Sequence, residues 1–238
     1  MTSVAATSSD RYCVMGNPVA HSRSPWIHAR FAELCGQDLR YERQHVELDG
    51  FAEAVRAFVT AGGRGCNVTV PFKLEAAQLA TTSSERVQLA GAANTLVLAA
   101  DSIHADNTDG LGLVADIVRN AGVPLAGRDL LLLGAGGAAA GALGSLLAER
   151  PRRIAVVNRT FERAQALVQR HAAIAAQHGV ELVALEQQAV DEDFDVVINA
   201  TASSLAGAEV PVPARVLRTG SLAYDMMYGP AGQGFMQW

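Results

Sequence analysis

Three polar segments in the first half of this 238-residue chain carry side chains able to bind and protonate a small oxygen-rich molecule. They are Ala20-His-Ser22-Arg-Ser24-Pro25, then Asn67-Val-Thr69-Val-Pro-Phe-Lys73, and finally Asn94 with the later Asn107-Thr-Asp109-Gly110. Between them they offer hydroxyls, carboxamides, an ammonium and a carboxylate. A polyol carboxylate suits such a set, because hydroxyls and amides read ring hydroxyls and a lysine can move a proton to or from an oxygen. Neither metal-ligand spacing nor a thiolate–histidine cluster is present. Taken singly, each residue also has a plain structural use. Ser24 can cap a helix ahead of Pro25, Asn94 and Asn107 can turn the chain, Asp109 can cap a helix, and Lys73 can simply be solvated. His21 reads as a loop hydrogen-bonding residue.

Open α/β sheets place their ligands where strands end and helices begin, and all three segments fall at such places. Residues 12–15 form a short strand, and Ser24-Pro25 open a helix whose apolar stripe is Ile27, Phe31, Leu34 and Cys35, stopped by Gly36. A second helix presents Phe51, Ala54, Val55, Phe58 and Val59 and ends at Gly62-Gly63, before a strand over 66–70 that Pro71 closes. Residues 94–98 and 103–105 pattern as a hairpin, and a helix over 111–120 leads into the second half. There, 161–177 patterns as a helix, and 181–185, 194–198 and 221–224 as strands. Two α/β domains are expected, 1–109 and 110–238, with 1–10 a disordered lead-in.

The second half contains Asp129-Leu-Leu-Leu-Leu-Gly134-Ala-Gly136-Gly137-Ala-Ala-Ala-Gly141, then Ile154-Ala-Val-Val-Asn158-Arg159-Thr160. An apolar run that stops at glycine fits a parallel strand buried on both faces. Gly134 and Gly136 permit a tight turn and a close approach to a pyrophosphate. Ala139 is the permitted alanine at the third position, and small residues through Gly141 let the helix pack close to its strand. A merely tight structural turn is the plain alternative. At the end of the next strand a carboxylate would meet a free adenosine 2′-hydroxyl and repel a 2′-phosphate; here Asn158 is neutral and Arg159 is a planar cation. That favours NADP over NAD and makes a nicotinamide enzyme the leading expectation. Arg163 is expected on the same helical face as Arg159, as the other half of a clamp on adenine and phosphate. Otherwise the two arginines only solvate a helix start, where the helix dipole slightly disfavours a cation.

Half of the residues are apolar, enough for real cores, and a net charge of −5 without a basic block gives no footprint for nucleic acid. No apolar run reaches membrane-spanning length, and the first ten residues carry neither a positive nor an apolar signal region. A cytoplasmic chain is expected, with Cys13, Cys35 and Cys66 reduced and in the core.

The string from Gly16 to Pro25, the string from Asn67 to Lys73, Gly91-Ala-Ala-Asn94-Thr, Asp106-Asn-Thr-Asp-Gly110, Gly134-Ala-Gly-Gly137, Asn158-Arg-Thr160, Asn199-Ala-Thr201 and Tyr224-Asp-Met226 together resemble the shikimate dehydrogenases. The motifs stand in family order and cover 11–238. The resemblance implies an N-terminal substrate-binding catalytic domain and a C-terminal Rossmann-type, doubly wound NADP-binding domain. It implies NADP-dependent interconversion of 3-dehydroshikimate and shikimate, in aromatic amino-acid and chorismate biosynthesis, by a monomer or homodimer. Lys73 and Asp109 match the family's catalytic pair, and Ser22, Ser24, Thr69, Asn94 and Tyr224 its substrate contacts. Gly134, Ala135, Gly136, Gly137, Ala138, Asn158, Arg159, Thr160, Arg163, Asn199, Ala200, Thr201 and Met226 match its cofactor contacts.

Three departures stand out. Ala139 and Ala140 replace residues that are often basic or polar, and Ser204 replaces a common glycine. Family members also continue into a helical hairpin that carries an Ala-Asp-Gly-leading motif and a substrate-contacting glutamine. Phe235, Met236 and Trp238 therefore begin an apolar stripe expected to need further chain to cover it. A catalytically weak NADP-binding fragment and a quinate/shikimate dehydrogenase are the alternatives.

Overall fold

The computed structural model describes residues 9–201 and 209–238; Ser204 and most of the expected lead-in lie outside the described residues. The chain divides into two compact units. One runs to Val87 and resumes over Ala93–Asp106, and the other comprises Gln88–Ala92 with Asn107–Trp238. The change of unit thus falls after Asp106, ahead of the sequence-based boundary at Asp109.

The first unit follows the order β1 (Asp10–Gly16), α1 (Ser24–Cys35), β2 (Leu39–His45), α2 (Phe51–Thr60), β3 (Gly63–Val68), α3 (Lys73–Leu79), β4 (Thr82–Ser83), α4 (Glu85–Ala90), β5 (Thr95–Leu98) and β6 (Ile103–Asp106). Its sheet has the order β2-β1-β3-β5-β6-β4. β1 is parallel to both neighbours, and β5 runs antiparallel to β3 and to β6, the expected hairpin. The period of α2 places Phe51, Val55 and Phe58 in a core with Cys13, Met15, Cys66 and Val68 from the sheet. Phe72 stacks on Phe51 at 5.0 Å between ring centroids.

Helix α1 departs from expectation. Its stripe does not face the core: Phe31 is 57% exposed, Leu34 66%, and Cys35 is exposed rather than buried. The helix turns its smaller side inward instead. Ala32 is its buried residue, and one turn earlier His28 stacks on Tyr41 of β2 at 4.1 Å and 13°. His28 and Ala32 stand four residues apart and so share one helical face, the face that α1 turns toward β2. Ser24 is also not the cap. It is the first residue of the helix, with Pro25 in the first turn, and its N–H is bonded by Ser22 Oγ at 3.3 Å.

The second unit opens with α5 (Asp109–Ala115), which relaxes into one π-helical turn over Asp116–Asn120. It continues through β7 (Asp129–Leu133), α6 (Gly137–Ala148), β8 (Arg153–Val157), α7 (Phe161–His178), β9 (Glu181–Leu185), β10 (Phe194–Asn199), β11 (Leu217–Asp225) and α8 (Gln233–Gln237). The sheet is wholly parallel in the order β11-β10-β7-β8-β9, so the chain reverses direction beside β7 and β10. Ligands of doubly wound sheets bind outside the strand ends at such a reversal. The unbroken apolar runs follow from burial on both faces. Leu130, Leu132, Ile154, Val156, Val196 and Ile198 join one core, and Leu131, Leu133, Ala155, Val157 and Val197 the other.

The terminal stripe corrects a second expectation. Phe235 is buried and stacks on Trp238 at 5.3 Å, and the indole N–H of Trp238 donates to Val212 O at 2.8 Å. Of the three residues, Met236 alone is largely exposed, at 81%.

His171 of α7 is fully buried, and its Nδ1 lies 3.0 Å from Leu167 O. A carbonyl can only accept, so Nδ1 carries the proton and Nε2 is a bare lone pair with no hydrogen-bond partner among the described residues. Burial holds this imidazole below its ordinary value, against the pull of the Leu167 carbonyl. A folded value below the unfolded one gives stability that is fully present above the unfolded value, about 6.5, and lost as pH falls toward the folded one. Urea midpoints should therefore drop from about pH 7.5 to about pH 5, and His171→Leu should flatten that drop. Parallel pH profiles for the two proteins would contradict the burial argument.

Candidate active site

In the first unit the carboxyl ends of β1 and β3 and the start of antiparallel β5 lie at one sheet edge, and five of the residues singled out by sequence meet there. Thr69 N–H donates to Met15 O at 2.9 Å, and a Cβ on Gly16 would run into the Thr69 methyl, so β1 and the loop after β3 are tightly apposed. Lys73 starts α3, where its carbonyl accepts from Ala93 N–H at 2.8 Å, next to Asn94. Asn94 O accepts from Val68 N–H at 2.8 Å and from Asn67 Nδ2 at 3.3 Å. Ser22 is buried and its Oγ lies 3.1 Å from Ser24 Oγ.

Sequence reasoning missed what braces these hydroxyls. Tyr41 donates its phenol proton to Asn67 Oδ1 at 2.5 Å and is hydrogen-bonded by Ser24. Burial, with the neighbouring thiols of Cys13 and Cys66, holds that phenol above its ordinary range. Arg43 Nε donates to Ser22 O at 2.7 Å. The signal for both lies in β2, whose mixed polar sequence gives no strand period.

In the second unit the cofactor residues lie along the carboxyl edge of the sheet. Gly134 has φ +109, and a Cβ there would stand 3.1 Å from the Ala200 carbonyl. Ala135 N–H donates to Asn158 Oδ1 at 3.2 Å, while Asn158 Nδ2 donates to Thr160 O at 2.8 Å, so Asn158 fastens the glycine turn to the end of β8. Helix α6 starts after Gly136 with no side-chain cap, and a Cβ on Gly136 would meet nothing within 4 Å. Open N–H groups at the start of a 12-residue helix, with free space before them, fit a pyrophosphate.

Arg159 and Arg163 are exposed, and no carboxylate among the described residues pairs with either. They do not share a helical face as expected: Arg159 precedes extended Thr160, and the helix begins at Phe161, which leaves Arg163 in its first turn. Ala139 and Ala140 are buried in the core.

Asp109 is the first residue of α5, after Thr108, and is not its cap. Its N–H donates to Asn107 Oδ1 at 3.1 Å, while buried Asn107 donates from Nδ2 to Ala92 O at 2.9 Å. Gly141 serves this carboxamide rather than the strand, since a Cβ there would lie 2.6 Å from Asn107 Nδ2. Asn199 Oδ1 accepts from Thr201 N–H and Oγ1 at 3.1 and 2.7 Å. Tyr224 donates its hydroxyl to Asp116 at 2.8 Å; burial and then that carboxylate push the phenol up to about 12. Among the described residues no group of three His, Cys, Asp or Glu is placed to hold a metal ion, and no helix is long and apolar enough to cross a membrane.

Residues 14–96 match the family model described as shikimate dehydrogenase substrate binding domain, and residues 116–210 match that described as shikimate / quinate 5-dehydrogenase. The chain is 74% identical over 231 residues to the shikimate dehydrogenase (NADP(+)) of Acidovorax sp. (strain JS42), across 97% of this chain and 82% of the relative. Among solved structures, an Ael1 enzyme from Pseudomonas putida is 42% identical with a TM-score of 0.82, over 96% of this chain and 83% of that one. The Thermus thermophilus shikimate 5-dehydrogenase in complex with NADP(H) and shikimate is 31% identical with a TM-score of 0.74, over 91% of this chain and 78% of that one.

The Asn107 geometry gives a paired test. Gly141→Ala should overpack the carboxamide and destabilise the protein by about 1–3 kcal/mol. Gly112→Ala, in α5 with nothing within 4 Å of its Cβ, should stabilise it by about 0.5–1 kcal/mol. Thermal denaturation reads both, and equal shifts of one sign would contradict this packing.

Proposed function

The chain belongs to the shikimate dehydrogenase family, and we propose that it interconverts 3-dehydroshikimate and shikimate with NADP, using Lys73 and Asp109 as its catalytic residues. The observation that carries the cofactor half is the uncapped start of α6 at Gly136, with exposed Arg159 and Arg163 unquenched by any described carboxylate. Gly134 to Ala138 hold the pyrophosphate by backbone N–H groups, and Arg159 takes the 2′-phosphate through a charge-assisted fork with Arg163 in support. Asn158 and Thr160 shape that end, and Asn199, Ala200, Thr201 and Met226 line the nicotinamide end. When bound there, the reduced cofactor, NADPH, would supply the hydride for a ring ketone and the oxidised form would take it back in the reverse direction.

The chain's own residues do the rest. Lys73 delivers a proton from its ammonium to the ketone oxygen during reduction, and its amine takes that proton back in the reverse direction. Asp109 accepts a hydrogen bond from a ring hydroxyl. The adjacent hydroxyls of Ser22 and Ser24 bind the substrate carboxylate, and Thr69 and Asn94 read ring hydroxyls. Each of these groups is left unpaired by an analogue that lacks its partner, which penalises such analogues. Tyr224, the remaining substrate contact, donates its hydroxyl to Asp116 and so presents its oxygen to the substrate as an acceptor. The first compact unit is the substrate domain and the second, Gln88–Ala92 with Asn107–Trp238, the NADP domain of a cytoplasmic monomer or homodimer.

Lys73→Ala should reduce turnover of shikimate with NADP by roughly 10²–10⁴-fold, the contribution of a general acid–base group. NADP affinity should stay nearly constant, because every cofactor contact belongs to the other unit. Less than about a tenfold loss of turnover would remove Lys73 from the mechanism.

A further inference from the structure

One carboxylate ties two strand ends together at the carboxyl edge of the parallel sheet. Asp225, the last residue of β11, accepts through Oδ1 from Asn199 Nδ2 at 3.2 Å and from Met227 N–H at 3.0 Å. Asn199, the last residue of β10, is 2% exposed and passes the constraint on. Its side-chain oxygen holds the backbone N–H and hydroxyl of Thr201, and its carbonyl accepts from Met226 N–H at 3.0 Å. Thr201 in turn stands against the glycine turn, its methyl 3.3 Å from where a Cβ on Gly134 would be. One oxygen of Asp225 therefore bears on Thr201 through the Asn199 side chain, and on the turn at Met226 through the Met227 N–H it accepts.

We propose that Asp225 is a positioning residue for the nicotinamide half of the cofactor, acting through the Asn199 side chain on Thr201 and through the Met227 N–H on the turn at Met226. This rests on the assignment of the second unit to NADP. The phosphate half has its own supports in the start of α6, Asn158 and Arg159. Removing the Asp225 acceptor takes one hydrogen bond from the buried Asn199 amide, and a carboxamide that loses an acceptor on one side is freer to reorient toward another. That reorientation withdraws Asn199 Oδ1 from Thr201. Asparagine at 225 keeps an oxygen for both donors, so the position needs an acceptor there more than it needs charge.

The intact chain and its Asp225→Ala and Asp225→Asn variants are titrated with NADPH, followed by nicotinamide fluorescence, and with adenosine 2′,5′-bisphosphate, which lacks the nicotinamide. Turnover is measured in parallel. Asp225→Ala should bind the bisphosphate within about twofold of the parent, bind NADPH about tenfold more weakly and lose at least about tenfold in turnover. Asp225→Asn should return NADPH affinity and turnover to within about threefold. If the alanine variant fails to fold, Asp225→Glu, which displaces the acceptor by one methylene, should show the same split between probes. Equal weakening of both probes, or NADPH affinity and turnover unchanged by every substitution, would overturn the proposal. A parent chain that binds neither probe would instead overturn the assignment of the second unit to NADP.

Discussion

At the end of β7 two backbones meet with no room for a side chain. A Cβ on Gly134 would press on the Ala200 carbonyl, and φ +109 lies in the region that L side chains rarely adopt. Because that residue is glycine, Gly134 N–H reaches Val157 O at 2.7 Å and Ala200 N–H reaches Leu133 O at 2.8 Å. Three parallel strands can then finish side by side at the reversal of the sheet. The rest of the cofactor edge follows from that approach: Ala135 comes within reach of Asn158, α6 starts with its N–H groups open, and Thr201 is set beside the turn.

The edge of the first sheet is assembled differently, by polar side chains that must find partners because they are partly or wholly buried. Tyr41, Asn67 and the Asn94 carbonyl form one chain of hydrogen bonds, and Ser22 and Ser24 are held by Tyr41 and Arg43. Such networks fix a site only when every member is satisfied, since a buried orphan costs about 1–3 kcal/mol. Asn107 does the same for Asp109 in the second unit, and Gly141 supplies the clearance its carboxamide needs, while Gly110 makes room for Ser145 and the Gly141 carbonyl of α6. In each case a residue with no role in the chemistry fixes the backbone that carries a chemical group.

What could be read from sequence depended on whether the cause was local. The runs at 130–133, 154–157 and 196–198 are legible because burial on both faces leaves no polar residue in them, and the glycine turn is legible because its spacing is its mechanism. Strand β2 was not legible: it lies at the sheet edge and carries Arg40, Glu42 and Arg43, which mask a strand period. The stripe of α1 misled because the face turned inward is the one that meets Tyr41, a residue outside the helix. Tyr224 and Asp116 are 108 positions apart, Asn199 and Asp225 are 26 apart, and no pattern within either segment announces the other.

The central claim is that open backbone at the start of α6 receives the dinucleotide, and Gly136 isolates it. Its backbone is extended, at φ −89 and ψ −170, and a Cβ there would meet no protein atom within 4 Å. Titration calorimetry of NADP into the parent chain and Gly136→Val, each checked by a thermal melt, therefore separates ligand from fold. The account predicts a melting temperature unchanged within about 2 °C and an NADP affinity weakened by at least about tenfold. Equal affinity in a variant that melts like the parent would contradict it.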